Sequence, residues 1–355
     1  MAKLRKLEEL VKDTYGIHEA SRNLTGFAIL SLRVAVEAFC STYHAMRSRL
    51  HVLKEVDEKG PRDDLLGTRY HEAFAECVIH FQHFAELVIK DFLRAEHPLL
   101  AEDTSSHHVL LHKLLKGEAA TPDEDRKLKS VEFSEASERL YQLIKAARID
   151  KRVHFVAAHA QALEHLTSLR NRLLHRGTVV MRYQAADEFF GGYVLPFVLE
   201  VAELDEYKKL DAFWRPRPID CKVDVLAEIS ACCKDENYNL EKVALLKELG
   251  RAAFANPIAP DIFGEMLNPP YRRYAEKLVA DYKEHGGEAH RCPACGIEAA
   301  LISYDSEEDI NEDGSRCIRS TFPYSVRCLN CSFEINNELY DKNMFGLPIQ
   351  NFLSE

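Results

Sequence analysis

Arg170 and His175 lie five positions apart near the end of an amphipathic stretch that closes on Gly177. Together these two side chains can cleave RNA without a metal. Histidine titrates near neutral pH and can move a proton. Arginine keeps its charge and can fork onto a phosphate. The bare spacing is cheap: with about 25 Arg and 16 His in 355 residues, roughly one Arg-x4-His pair arises by chance. Looser pairs, Arg148 with His154 and Arg152 with His159, sit just upstream. The surroundings therefore have to decide.

The surroundings are basic. From Tyr141 to Tyr183 eight Lys or Arg stand against Asp150 and Glu164 only, with four histidines besides, in a chain of net charge −11. A local positive stretch in an acidic protein fits an anionic ligand at one site, and Arg172 and Arg176 are candidates to bind RNA phosphates. Equally, half of these charges can lie on a solvated helix face. Asn171 and His175, four apart, share a helix face. Arg170 lies about 140° around from His175 and would reach over by its length.

A second constellation lies near the C-terminus. Cys292 and Cys295 form one Cys-x2-Cys knuckle and Cys328 and Cys331 another, about 32 residues on. Four thiolates at this spacing suit one tetrahedral zinc ion, which would be structural because the shell is closed. Its binding, on the order of 10–16 kcal/mol, would fold the segment outright. A redox dithiol is the other reading, and two matched pairs weigh against it. Cys317 is expected to be a buried thiol rather than a spare ligand. Twelve Asp or Glu against five Lys or Arg between Gly286 and Glu355 make this tail acidic, so it would repel nucleic acid. A scaffold, a dimer contact or protein docking suits it better, and its carboxylates are candidates to cover the basic stretch.

The elements that must position these residues are mostly helices. Apolar residues at three- and four-residue spacing predict helices at 3–16, 23–56, 69–95, 107–115, 133–147, 153–176, 189–204, 222–233, 239–253 and 271–284. Gly177 predicts a helix C-cap. Polar or proline-rich breaks fall at 57–67, 117–125 and 256–270. Trp214-Arg215-Pro216-Arg217-Pro218 reads as a linker. Alternating residues around Ala300–Tyr304, Ile318–Phe322 and Cys331–Ile335 predict strands of a zinc ribbon. The expected organisation is N-terminal helices at 1–67, possible packing partners of the bundle; an antiparallel helical bundle at 68–205; a helical connector at 206–285; and a small β zinc ribbon at 286–355.

Composition narrows the class. Apolar residues make up 46% and charged residues 29%, as in a globular protein with a sizeable core. No signal peptide is evident, and the most apolar stretch, Leu24 to Phe39, is interrupted by Arg33 and Glu37. A cytoplasmic protein with no membrane partner is expected, and its cysteines point to metal rather than disulfides. A Gly-rich phosphate loop and a Ser or Cys hydrolase triad are not visible.

A helical bundle carrying Arg-Asn-x3-His near the end of a late helix resembles the HEPN superfamily, whose nuclease motif is Arg-x4–6-His, often with a polar residue after the arginine. Here that residue is Asn171. The resemblance covers about residues 68–205. It implies a homodimer with two motifs facing across a cleft, metal-independent cleavage of RNA, and a toxin or antiviral-defence setting with an antitoxin or regulatory protein partner. It carries over Arg170, Asn171 and His175 and nothing more. On this reading His175 takes the 2′-hydroxyl proton, Arg170 stabilises the phosphorane oxygens, and Asn171 holds the histidine tautomer or contacts RNA. Two other readings stand beside it. His175 can simply favour the negative end of its helix, leaving a non-catalytic HEPN-type adaptor or a nucleotide- or protein-binding module. A regulator that binds nucleic acid through the tail is disfavoured by the tail's acidity.

Overall fold

The structure is a computed structural model, and it describes residues 24–50, 67–103, 107–119, 121, 124, 128–177, 179–234, 238–256, 269–284, 288–310, 316–336, 339 and 344–347. The helix expected at 3–16, the end of that expected at 23–56, and most of the breaks at 57–67 and 256–270 lie outside the described residues.

Two long helices form the spine, α1 (Leu24–Met46) and α2 (Thr68–Glu96). The stripe Phe74, Val78, Phe81, Phe84, Val88 and Phe92 is buried, as its spacing requires. Burying one such phenylalanine is worth about 1.5–3 kcal/mol. The Thr25 hydroxyl donates to Asp91 (2.6 Å), Ser31 meets His83 Nδ1 (2.7 Å) and the Cys77 thiol reaches the Ala35 carbonyl. The descending partner numbers make the pair antiparallel. By length and composition α1 could cross a membrane, but Leu32, Ala35, Val36, Phe39 and Tyr43 are buried inside the protein. Its apolarity is thus used as core.

Next come α3 (His108–Leu115) and α4 (Phe133–Lys145), with Glu102–Asp103 (β1) paired to Lys129–Ser130 (β2) before α4. The stretch expected as one helix at 153–176 divides. Lys151–His159 is 3₁₀, opened by the Asp150 carboxylate accepting from the Arg152 amide (3.0 Å), and α5 (Ala160–Arg176) is α-helical. Gly177 ends α5 at φ +62°, its amide donating to the Leu173 carbonyl (3.0 Å), as the C-cap expectation requires.

α6 (Tyr183–Phe189), one π-helical turn (Phe190–Val194) and α7 (Leu195–Ala202) follow end to end. The π turn carries Gly191, where a Cβ would lie 2.5 Å from the Cys233 sulfur. Only glycine lets α10 (Val225–Lys234) approach there.

The chain around the expected linker at Trp214–Pro218 is part of the core. It forms α8 (Asp205–Lys208) and α9 (Asp211–Trp214), with Tyr207 and Trp214 fully buried. Tyr207 donates to Asp91 (3.0 Å), and Arg33 donates to the Phe213 carbonyl (2.9 Å). The prolines limit helix length here without preventing burial of the aromatic rings that precede them.

α11 (Leu240–Phe254) returns across α1, with Lys247 on Thr42 and Gly250 against Cys40. α12 (Pro269–Glu284) leads to a four-stranded antiparallel sheet, ordered β3 (Ala289–Arg291), β4 (Glu298–Ile310), β5 (Arg316–Cys328), β6 (Glu334–Asn336). The four expected segments share one apolar core, which runs from Ala28 through the helices to Cys292, Phe333 and Ile335. The far half of the β4–β5 hairpin leaves it: Asp305, Glu307, Glu308, Asp309, Ile310 and Ile318 are exposed.

Candidate functional site

The last two turns of α5 leave the core. Ala162, Leu163 and Leu166 are buried, Leu169 and Leu173 are half-buried, and Asn171, Arg172, Leu174, His175 and Arg176 are exposed. These turns and α4 enclose an open groove of about 1150 Å³. Asn171, Arg172, His175 and Arg176 line it from α5, together with Glu164 and Thr167, and Glu138 and Tyr141 line it from α4. Burial pushes the Tyr141 hydroxyl up to about 12, so it stays protonated and can donate.

Asn171 and His175 thus meet at the groove, as their shared helix face requires. Arg170 does not line it. Its guanidinium turns to its neighbour and donates to Asn171 Oδ1 (3.0 Å). The reach over the helix expected from its length is not made within one chain.

Among the described residues, Arg172, His175 and Arg176 have no ion-pair or hydrogen-bond partner. The upstream decoys are different. Arg152 pairs with Glu206 (3.0 Å), His159 with Glu200 (3.1 Å), and His154 meets the Ile149 carbonyl (3.3 Å). Those side chains tie the 3₁₀ segment to its neighbours, whereas Arg172, His175 and Arg176 line the groove.

Among the described residues, no carboxylate of the tail lines this groove. Asp305 and Glu307–Asp309 are exposed on the hairpin arm, where Glu308 pairs with Arg316 (3.2 Å) and Glu307 accepts from Ser320 (3.1 Å).

The four cysteines come together. The sulfurs of Cys292, Cys295, Cys328 and Cys331 all lie within 4.8 Å of one another, and all four residues are buried. Cys292 to Cys331 is 3.6 Å and Cys295 to Cys328 is 3.7 Å. Four sulfurs 2.3 Å from a tetrahedral zinc would stand about 3.8 Å apart. The residues therefore can hold a metal ion, with a geometry compatible with structural zinc. Gly296 (φ +73°) and Ser332 (φ +56°) make the turns after the second cysteine of each knuckle. Cys317 is exposed on the arm, contrary to the expectation of a buried thiol, because its strand has left the core by that point.

No family model, curated protein or solved structure matches this chain.

Two buried charge networks were not foreseen from sequence. Lys247 and Asp187 form a fully buried ion pair. Thr42 accepts from Lys247 (2.7 Å), Tyr238 donates to Asp187 (2.9 Å), and the ammonium lies over the rings of Phe39 and Tyr183. Burial pushes the Asp187 carboxyl up, against the pull of Lys247. One position on, Glu248 is fully buried and accepts from Arg251 Nε (2.8 Å) and from the Glu334 amide (2.7 Å). The only sequence signal was a Lys-Glu pair set inside the apolar run Leu245, Leu246 and Leu249.

Proposed function

We propose that this protein is a metal-independent endoribonuclease of the HEPN type, acting as a homodimer in which the ends of two α5 helices face each other. The observation that supports this most is the exposed, unpartnered set Arg172, His175 and Arg176, joined by Asn171 on one groove. Unpaired cations beside a titratable imidazole suit an RNA backbone. A deep pocket for a small ligand would instead be enclosed and largely apolar.

In this reading His175 removes the proton from a ribose 2′-hydroxyl, and the freed oxygen attacks the adjacent phosphorus. The bond to the 5′-oxygen breaks, leaving a 2′,3′-cyclic phosphate, and the leaving oxygen takes a proton from the second His175 in protonated form. Arg170, turned away from its own groove, would stabilise the phosphorane charge across the interface. Asn171, already bonded to Arg170, would set that guanidinium's direction. Arg172 and Arg176 would hold flanking phosphates. A toxin or antiviral-defence role, with an inhibitory partner, is part of the same proposal. Zinc in the four-cysteine site is proposed as one structural ion per chain, without a part in the chemistry.

The decisive experiment is incubation of the purified protein and its His175→Ala variant with single-stranded RNA in EDTA. Cleavage to cyclic phosphate ends by the parent and none by the variant is expected. Equal cleavage by both sinks the reading. A second reading, a non-catalytic binding module, draws on Glu138 and Glu164, whose carboxylates line the same groove and oppose a polyanion. Binding of RNA without any cleavage would favour it.

A further inference from the structure

The helical body grips both cysteine knuckles. The first is held by the chain after α9. The Ile219 amide donates to the Ala294 carbonyl (2.7 Å), the Cys221 amide to the Pro293 carbonyl (3.1 Å), and Arg291 pairs with Asp220. The second is held by the end of α11. Arg251 Nη1 donates to the Ser332 hydroxyl (3.1 Å), Arg251 Nη2 donates to the Ser332 carbonyl, and Asn330 donates to Asn256 (3.0 Å).

Arg251 has the most consequential place. Ser332 directly follows the ligand Cys331 and adopts a left-handed backbone that non-glycine residues rarely take. Its amide closes the knuckle by donating to the Cys328 carbonyl (3.1 Å). The conformation that brings Cys331 back toward Cys328 is thus clamped from outside by one guanidinium. The remaining donors of that guanidinium fork onto Glu248, which has no exposed surface. Glu248 also accepts from the backbone of Glu334, on the strand leaving the knuckle, and stands 3.8 Å from His44 on α1. One side chain therefore joins the turn beside a metal ligand to a buried carboxylate at the α11–α1 contact. Gly250, which stands between Glu248 and Arg251 on α11, packs on Cys40 of α1.

We propose that Arg251 is a positioning residue of the metal centre, and that through it metal occupancy is coupled to the packing of α11 on α1. Partners behind a ligand set its orientation, and their loss typically weakens metal binding about 10–100-fold. In the other direction, release of the metal frees the Cys331–Ser332 turn. Arg251 then loses its carbonyl acceptor, and Glu248 keeps its buried charge with a loosened partner. An appended ribbon would unfold by itself and leave the helices alone. This one withdraws support from the centre of the helical body. The inference is independent of the nuclease proposal, since no groove residue takes part.

The test uses the full chain loaded with zinc. Zinc affinity is read by competition with a chromogenic chelator at a temperature where every variant is folded. Helix unfolding is read by far-ultraviolet circular dichroism, with and without chelation. In the parent protein, chelation should lower the temperature of the helical transition. Arg251→Ala should bind zinc about 10–100-fold more weakly, and its helical transition should respond less to chelation. Arg251→Lys keeps the charge without the fork, and it should fall between the two; it also serves if Arg251→Ala does not fold. Tyr238→Phe is the control for general loss of stability, because it removes a bond to Asp187 in the neighbouring network. It should lower the transition temperature and leave zinc affinity unchanged. The proposal is overturned if chelation leaves the parent's helical transition in place. It is equally overturned if the Arg251 variants hold zinc as tightly as the parent, or if Tyr238→Phe weakens zinc as much as they do.

Discussion

At the scale of single residues, the contrast between side chains that have polar partners and those that have none among the described residues separates the candidate site from its decoys. Arg152 and His159 are consumed by Glu206 and Glu200, while Arg172, His175 and Arg176 face an open groove. His175 is exposed, so its removal should cost little stability. His175→Ala is expected to reduce RNA cleavage about 10²–10⁴-fold with an unchanged melting temperature; a large drop in melting temperature would make it a structural residue instead. A different histidine carries a pH effect. Burial, reinforced by Arg251, Arg47, Arg69 and Arg327, pulls His44 down from its usual 6.5 to about 4. Between those values the unfolded chain takes up a proton that the folded protein resists, so acidification favours unfolding. The stability His44 contributes is present above pH 6.5 and is lost as pH falls toward 4. Urea unfolding of the parent at pH 7 and pH 5 should show a larger loss than His44→Gln shows; equal losses would contradict this assignment.

At the scale of elements, α11 shows how a helix can carry two buried charge networks side by side. Lys247 neutralises Asp187 next to the π-helical turn, and Glu248 pairs with Arg251 below the second knuckle. Removing one member of such a pair leaves an uncompensated charge in the interior. Lys247→Ala is therefore expected to cost about 3–5 kcal/mol, and Lys247→Met combined with Asp187→Leu to recover most of that loss. Denaturant titration of the two variants decides between this and a dispensable pair, for which both would unfold like the parent. The end of α5 shows the opposite economy. Its last turns bury little, and Leu174 is half exposed among the arginines. If two copies meet there, Leu174→Glu should shift the protein from dimer to monomer in sedimentation analysis, and cleavage should fall with it.

At the scale of the whole molecule, helices and sheet share one core, so removing the C-terminal segment is not a neutral truncation. Deleting residues 286–355 exposes the α11 and 219–221 surfaces and leaves Glu248 without the Glu334 amide. That deletion is expected to give an aggregating or unfolded protein. Replacing residues 305–322 by a short turn removes an arm whose described residues are exposed or half-buried, and should leave the melting temperature within a few degrees of the parent. Metal analysis of the full chain should give about one zinc per chain; a fully folded, metal-free protein would falsify the zinc assignment.

The reading from sequence reached those features that repeat at short range. The stripe of α2, the C-cap at Gly177 and the two Cys-x2-Cys knuckles are local patterns, and each is in place; strands form at Ala300–Tyr304 and Ile318–Phe322 too, but Ile318 to Thr321 are exposed on both faces, and Cys331–Phe333 is a turn before the strand Glu334–Asn336. The convergence of the four sulfurs was also legible, because two knuckles of this spacing have few other ways to satisfy their thiolates. What stayed hidden depends on contacts far apart in the chain. Trp214 reads as part of a linker from its neighbours alone, yet the core encloses its ring. Cys317 reads as a core thiol, yet its strand has left that core. Lys247 and Glu248 look like solvated charges on a helix, and Asp187 sits 60 positions from Lys247. Local periodicity is written in neighbouring residues, so the chain alone determined the long helices and the four cysteines that come together. Whether a charge is buried or free is set by what packs over it, so only the tertiary structure decided which cations stand open to a ligand and which hold the molecule together.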